Sequence, residues 1–145
     1  MRITSNNKMI DFNIIGYQYP YCKGSSQEYN YDANWLICEI KYSEDDFINV
    51  NETYRDACLL TYEVEELTDG LTKILNNEED AYISNFIEPY LKIAIAKAEE
   101  KIMFTMQFVY SGNWKKRTVA TIIDTEIAGQ ILNKLLEIQK NYPER

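Results

Sequence analysis

Histidine is absent from all 145 residues, and that absence removes more chemistry than any other feature of the sequence. Without an imidazole there is no Ser-His or Cys-His nucleophile pair, no histidine acid–base relay and no ordinary zinc site. Cysteine is scarce as well. Cys22, Cys38 and Cys58 are odd in number and show no CxxC spacing. Cys38 and Cys58 lie inside apolar runs, where a reduced thiol behaves as a small hydrophobe. The 5 glycines and 3 prolines are too few and too scattered to form a linker, and no segment is repeated or of low complexity. Residues 1–11 are polar almost throughout, unlike a signal peptide, and no apolar run approaches the roughly 20 residues that span a bilayer. What is left is a single cytoplasmic domain over residues 1–145, close to the common size for one hydrophobic core.

What is present fits that reading. A hydrophobic share of 46% with 26% charged residues is globular rather than disordered. Tyrosine is over-used, 12 against 2 Trp and 5 Phe, which leans towards sheet. The net charge is −8 and unevenly spread. Residues 1–42 carry four acids and four bases. Residues 43–80 carry twelve acids against Arg55 and Lys73, a net −10, and residues 81–145 carry nine bases against seven acids. Such a chain repels nucleic acid and anionic membrane and attracts a basic protein.

Hydrophobic periodicity sets the elements. Lys8 to Tyr19 alternates through Ile10, Phe12 and Ile14 and predicts a strand ending before Pro20. A polar loop through Lys23-Gly24-Ser25-Ser26 follows. Trp35 to Tyr42 turns Leu36, Cys38, Ile40 and Tyr42 to one face. Phe47–Asn51 and Thr53–Leu60 read as two more extended pieces. From Thr61, a plausible N-cap, Val64, Leu67, Leu71, Ile74 and Leu75 repeat at helical spacing to about Asn76. Gly70 is expected to weaken that helix by about 1 kcal/mol relative to alanine. Leu91 to Ala96 alternates, Glu99-Glu100 turns, and Ile102 to Tyr110 alternates strongly. Ser111-Gly112-Asn113 then leads into Trp114 to Ile123, completing a three-stranded meander. Asp124 or Thr125 caps a last helix whose stripe is Ile127, Ile131, Leu132, Leu135 and Ile138, stopping before Pro143. The predicted class is α+β, with a mainly antiparallel sheet of about six or seven strands. Two helices, about 61–76 and 125–140, are expected on one face of it.

The densest charge cluster is Glu63, Glu65, Glu66 and Asp69 with Glu78, Glu79 and Asp80. Complementing the helix dipole explains any one of them, but dipole effects do not need a net −10 over 38 residues. The cluster is therefore the candidate docking surface for a basic partner. As metal ligands, Asp45-Asp46 and Glu78-Glu79-Asp80 lack alternate oxygen positions and a glycine at the sixth, and Glu63 with Glu66 lacks a Glu-x-x-His partner. No catalytic, metal or cofactor residue is assigned. Ser25-Ser26 after Gly24 forms no phosphate loop. Lys115-Lys116-Arg117 reads as charge on a strand edge. Asp32 and Asn34 shape the entry to the Trp35 strand. Two other classes stay open: a small hydrolase using paired carboxylates, and a general protein-binding adaptor.

Four segments together resemble a known family. They are Gly16-Tyr17-Gln18-Tyr19-Pro20 closing the first strand, Tyr31-Asp32-Ala33-Asn34-Trp35-Leu36 opening the next, Cys58-Leu59-Leu60-Thr61-Tyr62-Glu63-Val64-Glu65-Glu66-Leu67 passing from strand to helix, and the terminal Asn141-Tyr142-Pro143-Glu144-Arg145. The arrangement resembles the WapI-like immunity proteins over nearly the whole chain. The resemblance implies a cytoplasmic, non-enzymatic antidote that binds the C-terminal toxin domain of a large secreted, contact-dependent toxin. Such toxins are often nucleases, including enzymes that cut transfer RNA. A nuclease needs a basic surface, which an acidic inhibitor can cover in a 1:1 complex. No cofactor, small-molecule substrate, direct nucleic-acid contact or membrane contact is expected, and no binding residue is carried over from the family.

Overall fold

Four strands and a helix, twice over, make up the chain, as a computed structural model describes it for residues 1–19, 31–110 and 115–145. The first set is β1 (Arg2–Ser5), β2 (Lys8–Tyr17), β3 (Trp35–Glu44), β4 (Val50–Leu60) and α1 (Thr61–Leu75). The second is β5 (Ala81–Ile83), β6 (Leu91–Ala98), β7 (Lys101–Tyr110), β8 (Lys115–Ile123) and α2 (Thr125–Asn141). Cys22, the Lys23–Ser26 loop, the Ser111–Asn113 turn and Trp114 lie outside the described residues.

The α+β class and the antiparallel pairing hold, but the single sheet of six or seven strands does not. Two four-stranded sheets form, ordered β1-β2-β3-β4 and β5-β6-β7-β8. Every strand pairs with its neighbour in sequence. Because α1 carries the chain away at the end of β4, the second meander starts afresh instead of extending the first. Strands β1 and β5 had no periodic signal, being four and three residues long. The two pieces Phe47–Asn51 and Thr53–Leu60 are also corrected. One strand runs from Val50 to Leu60, and Phe47 belongs to the turn before it.

The inward faces of both sheets meet in one core. Ile10, Phe12, Leu36, Cys38 and Ile40 come from the first, and Ile93, Ile95, Phe104, Met106 and Phe108 from the second. Cys38 and Cys58 are both buried and unoxidised. A hydrogen bond to Cys38, and then burial, hold the Cys58 thiol well above its usual range.

Helix α1 buries Val64, Leu67, Leu71 and Ile74 in this core. Its N-cap is Leu60, not Thr61, and the orphan Leu60 N–H is taken by the Glu63 carboxylate at 2.8 Å. Gly70 has a stronger reason to be there than its propensity suggests. A Cβ at that position would lie 2.2 Å from Cδ2 of Tyr82 on β5, so only glycine lets the strand approach this closely. Helix α2 is capped by Asp124, whose carboxylate accepts from Ile127 N–H at 2.8 Å. Its first turn lies by the end of α1, and its last turn by the start. The helices are therefore antiparallel neighbours. Ile131 and Leu135 of the expected stripe are buried together with Ala128, whereas Ile127 is exposed.

Candidate protein-docking site

The outward side of α1 consists of Glu65, Glu66, Asp69 and Lys73, all exposed. At 100° per residue these four fall within one stripe roughly 100° wide. Glu65, Glu66 and Asp69 form no ion pair among the described residues. Lys73 is neutralised by Glu79 at 3.0 Å, an attraction that raises its pKa. Glu65 borders the hollow beside the last turn of α2, and Glu66 lies towards Tyr82 of β5. The turn after the helix, with Glu78, Glu79 and Asp80, is fully solvent-facing, although Asp80 holds Lys97 at 3.0 Å.

Glu63 is the exception among the seven predicted positions. It is 1% exposed and offers no carboxylate to a partner. One oxygen takes the Leu60 N–H, and the other takes the Ile87 N–H at 2.6 Å, so Glu63 staples the start of α1 to the segment after β5. Burial raises its pKa, against the pull of those two amide donors. The sequence did carry a signal for this. Glu63 precedes Leu67 by four residues and Gly70 by seven, which puts it on the buried stripe of the helix.

The surplus charge of residues 43–80 does not form one continuous face. A second acidic group sits at the β3–β4 turn, at the opposite end of β4 from the start of α1, and the strand between those two ends is roughly 33 Å long at about 3.3 Å per residue. In that second group two carboxylates are engaged in the fold. Arg117 of β8 grips Glu52 through two hydrogen bonds of 2.8 and 2.7 Å and lies 4.8 Å from the centre of the Tyr42 ring. Tyr42 donates its hydroxyl to Glu44 at 2.6 Å, and Lys8 pairs with the same carboxylate at 3.3 Å. Those partners lower the pKa of Glu52 and Glu44, while burial and then Glu44 push the Tyr42 hydroxyl up to about 12. Of the basic run Lys115-Lys116-Arg117, Arg117 is thus a lock between the two sheets, a role the sequence did not reveal.

The hollows among the described residues are open to solvent. One of about 320 Å³ is lined by Gln18, Trp35, Asp56, Ala57, Glu88 and Tyr90. It brings two carboxylates to one depression that is open to solvent, and Asp56 already accepts the Ala57 N–H at 2.8 Å. Among the described residues no three Cys, Asp or Glu side chains gather as a metal site. No helix among them is long and apolar enough to cross a membrane. Asn34 is buried and ties three elements together. Its amide oxygen accepts from Arg145 N–H at 2.8 Å and Thr61 hydroxyl at 3.3 Å, and its nitrogen donates to the Arg145 carbonyl at 3.2 Å.

Two meanders closed by a helix pair, with charged stripes and open hollows on the outside, define the domain among the described residues. The chain belongs to the immunity protein WapI-like family, whose model matches residues 1–143. It is a member of a family of toxin-immunity proteins. Among curated proteins there is no significant sequence match. Among solved structures, the plant transcriptional regulator PBF-2 is similar in fold, with a TM-score of 0.55 at 5% identity. The similarity covers 98% of this chain and 80% of that one.

Proposed function

We propose that this chain is a cytoplasmic immunity protein that neutralises its toxin by binding rather than by catalysis. The partner is the C-terminal domain of a large secreted, contact-dependent toxin, a basic nuclease held in a 1:1 complex. The observation that carries the choice of surface is the α1 stripe, where Glu65, Glu66 and Asp69 stand exposed and unpaired among the described residues. Glu78, Glu79 and Asp80 continue that charge past the end of the helix. A phosphate-binding toxin surface is complementary to it, so the charges steer encounter and specify the partner.

The cognate toxin is identified by growth rescue. Cells expressing the toxin tail encoded beside this chain's gene survive when the chain is co-expressed. Purified components then give the rate constants. Reversing Glu65, Glu66 and Asp69 together to lysine is expected to slow association roughly 10- to 100-fold at low salt and to flatten its salt dependence. An unchanged association rate and salt slope would remove the α1 stripe from the interface. If the wild-type chain rescues no toxin, the immunity reading itself is lost.

A further inference from the structure

Phe47 and Ile48 stand side by side in the β3–β4 turn at 103% and 78% exposure, the two most exposed large apolar side chains among the described residues. Nothing in the fold uses them. Isolated apolar side chains on a surface are ordinary, but two adjacent ones at the tip of a long hairpin are not. Their setting is built. The base of the hairpin is clamped by Lys8, Tyr42 and Arg117 acting on Glu44 and Glu52, so the turn stands on a rigid platform. At its first residue, Asp45 N–H donates to the Asn7 carbonyl at 2.9 Å, fastening it to the neighbouring β1–β2 turn. Within it, the Asp46 carboxylate accepts the Phe47 N–H at 2.9 Å and fixes the backbone from which the phenyl ring projects. Asp45 and Asp46 are both exposed, and they flank the apolar pair with negative charge.

We propose that this tip, Asp45 to Ile48, is a second anchor for the toxin, with Phe47 and Ile48 entering an apolar pocket rimmed by lysine or arginine. The proposal rests on the immunity reading above and adds a contact at the end of β4 opposite the start of α1. An aromatic anchor held in advance by its own hairpin loses little freedom on binding, which is how a few residues come to dominate an interface. The acidic flank selects a basic-rimmed protein pocket and disfavours an anionic membrane as the occupant. The two sites divide the work. Charges on α1 govern how fast the partners meet, and the apolar tip governs how long they stay together.

The test uses the full chain and the purified toxin domain that growth rescue identifies. A Phe47→Ala, Ile48→Ala double variant is expected to raise the dissociation rate roughly 10- to 100-fold, with association and thermal stability near wild type because neither side chain packs in the fold. An Asp45→Lys variant, which keeps the backbone N–H bond to Asn7 and the Asp46 carboxylate, is expected to lower the association rate and to leave more of the residence time intact. Wild-type residence time in the double variant overturns the proposal while leaving the immunity reading standing. So does light scattering that shows a concentration-dependent dimer abolished by the double variant, since the tip would then serve a second copy of this chain. If the wild-type chain binds no toxin, both readings fall together.

Discussion

The two halves of the molecule share an order of elements and little else. Residues 1–75 and residues 76–145 each supply four antiparallel strands and a helix, yet the first carries a net −7 and the second −1. The outer face of the first sheet is an ionic lattice in which Asp11 takes Arg2 at 2.7 Å and Glu39 takes Lys41 at 2.8 Å and Arg55 at 2.5 Å. Across the middle of the second sheet's outer face the side chains are mostly small or apolar, with Lys92, Gln107 and Thr118 in the row beyond. Ala81, Ala96, Met103 and Ile122 lie in one row across it, and Ile83, Ala94, Thr105 and Ala120 in the next. The helices differ in the same way. Eight residues of α1 are buried, against Ala128, Ile131 and Leu135 alone in α2. The inward alternation is what the halves have in common, so that alternation specifies the architecture, and the outer faces are free to diverge.

The unequal burial of the helices gives the largest expected effect. Leu71→Ala in α1, at a fully buried position, is expected to lower stability by about 2–5 kcal/mol in chemical denaturation. Leu136→Ala in α2, 47% exposed, is expected to change it by no more than about 0.5 kcal/mol. Equal losses would mean that the two helices hold the fold alike. A sharper version uses one chemical change in both. Gly70→Ala forces a methyl into the Tyr82 ring and is expected to destabilise by about 1–3 kcal/mol despite its better propensity. Gly129→Ala meets nothing within 4 Å and is expected to stabilise by up to about 1 kcal/mol. Thermal melts of the two variants should therefore move in opposite directions.

The smallest effect concerns Glu63 and pH. Burial raises its folded pKa above the ordinary 4.5. Its contribution is then greatest below that value, where it is protonated whether folded or unfolded, and is lost as pH rises through the folded value. Glu63→Gln lacks this slope but turns an amide N–H towards one of the two backbone donors. The variant should be less stable than wild type, by a margin that narrows as pH is raised from about 4 to 7. A margin that widens over that range would show the carboxylate to be held as an anion in the fold. Glu39, Glu44 and Glu52 have the opposite sign, their lowered pKa values stabilising the fold until pH falls through them, so the difference between the two proteins is the quantity to follow.

Much of this was legible in the chain. Period-two runs located β2, β3, β6 and β7, the turn signal after β7 located β8, and the change of period at Thr61 located α1 within a residue at each end. The partition into two sheets was not legible, because periodicity reports which face is buried and not where a meander stops. Strands β1 and β5 were missed because a four- or three-residue segment holds no measurable alternation. The repetition of four strands and a helix was hidden because it repeats elements and not residues. Of the candidate site, the exposure of Glu65, Glu66, Asp69, Glu78, Glu79 and Asp80 agrees with the charge pattern. Glu63 was misplaced because two exposed glutamates follow it closely, drawing it into their cluster. The anchor pair Phe47 and Ile48 was read as a strand because β-prone residues in a tight turn look the same as β-prone residues in a sheet.

That every strand pairs with its sequence neighbour also bears on how quickly the protein comes into being. Hairpin pairings close short loops and can zip one after another, so each meander can form without waiting for distant segments to meet. Other contacts join distant parts of the chain: the two sheets share one core, α1 lies beside α2 and β1 beside β8, and Glu52 bonds Arg117, Asn34 bonds Arg145 and Tyr17 bonds the Pro143 carbonyl. They act as late fasteners on halves already shaped. Docking the two sheets and the helix pair is then the slower, non-local step, and it sets the interval between synthesis and a complete fold.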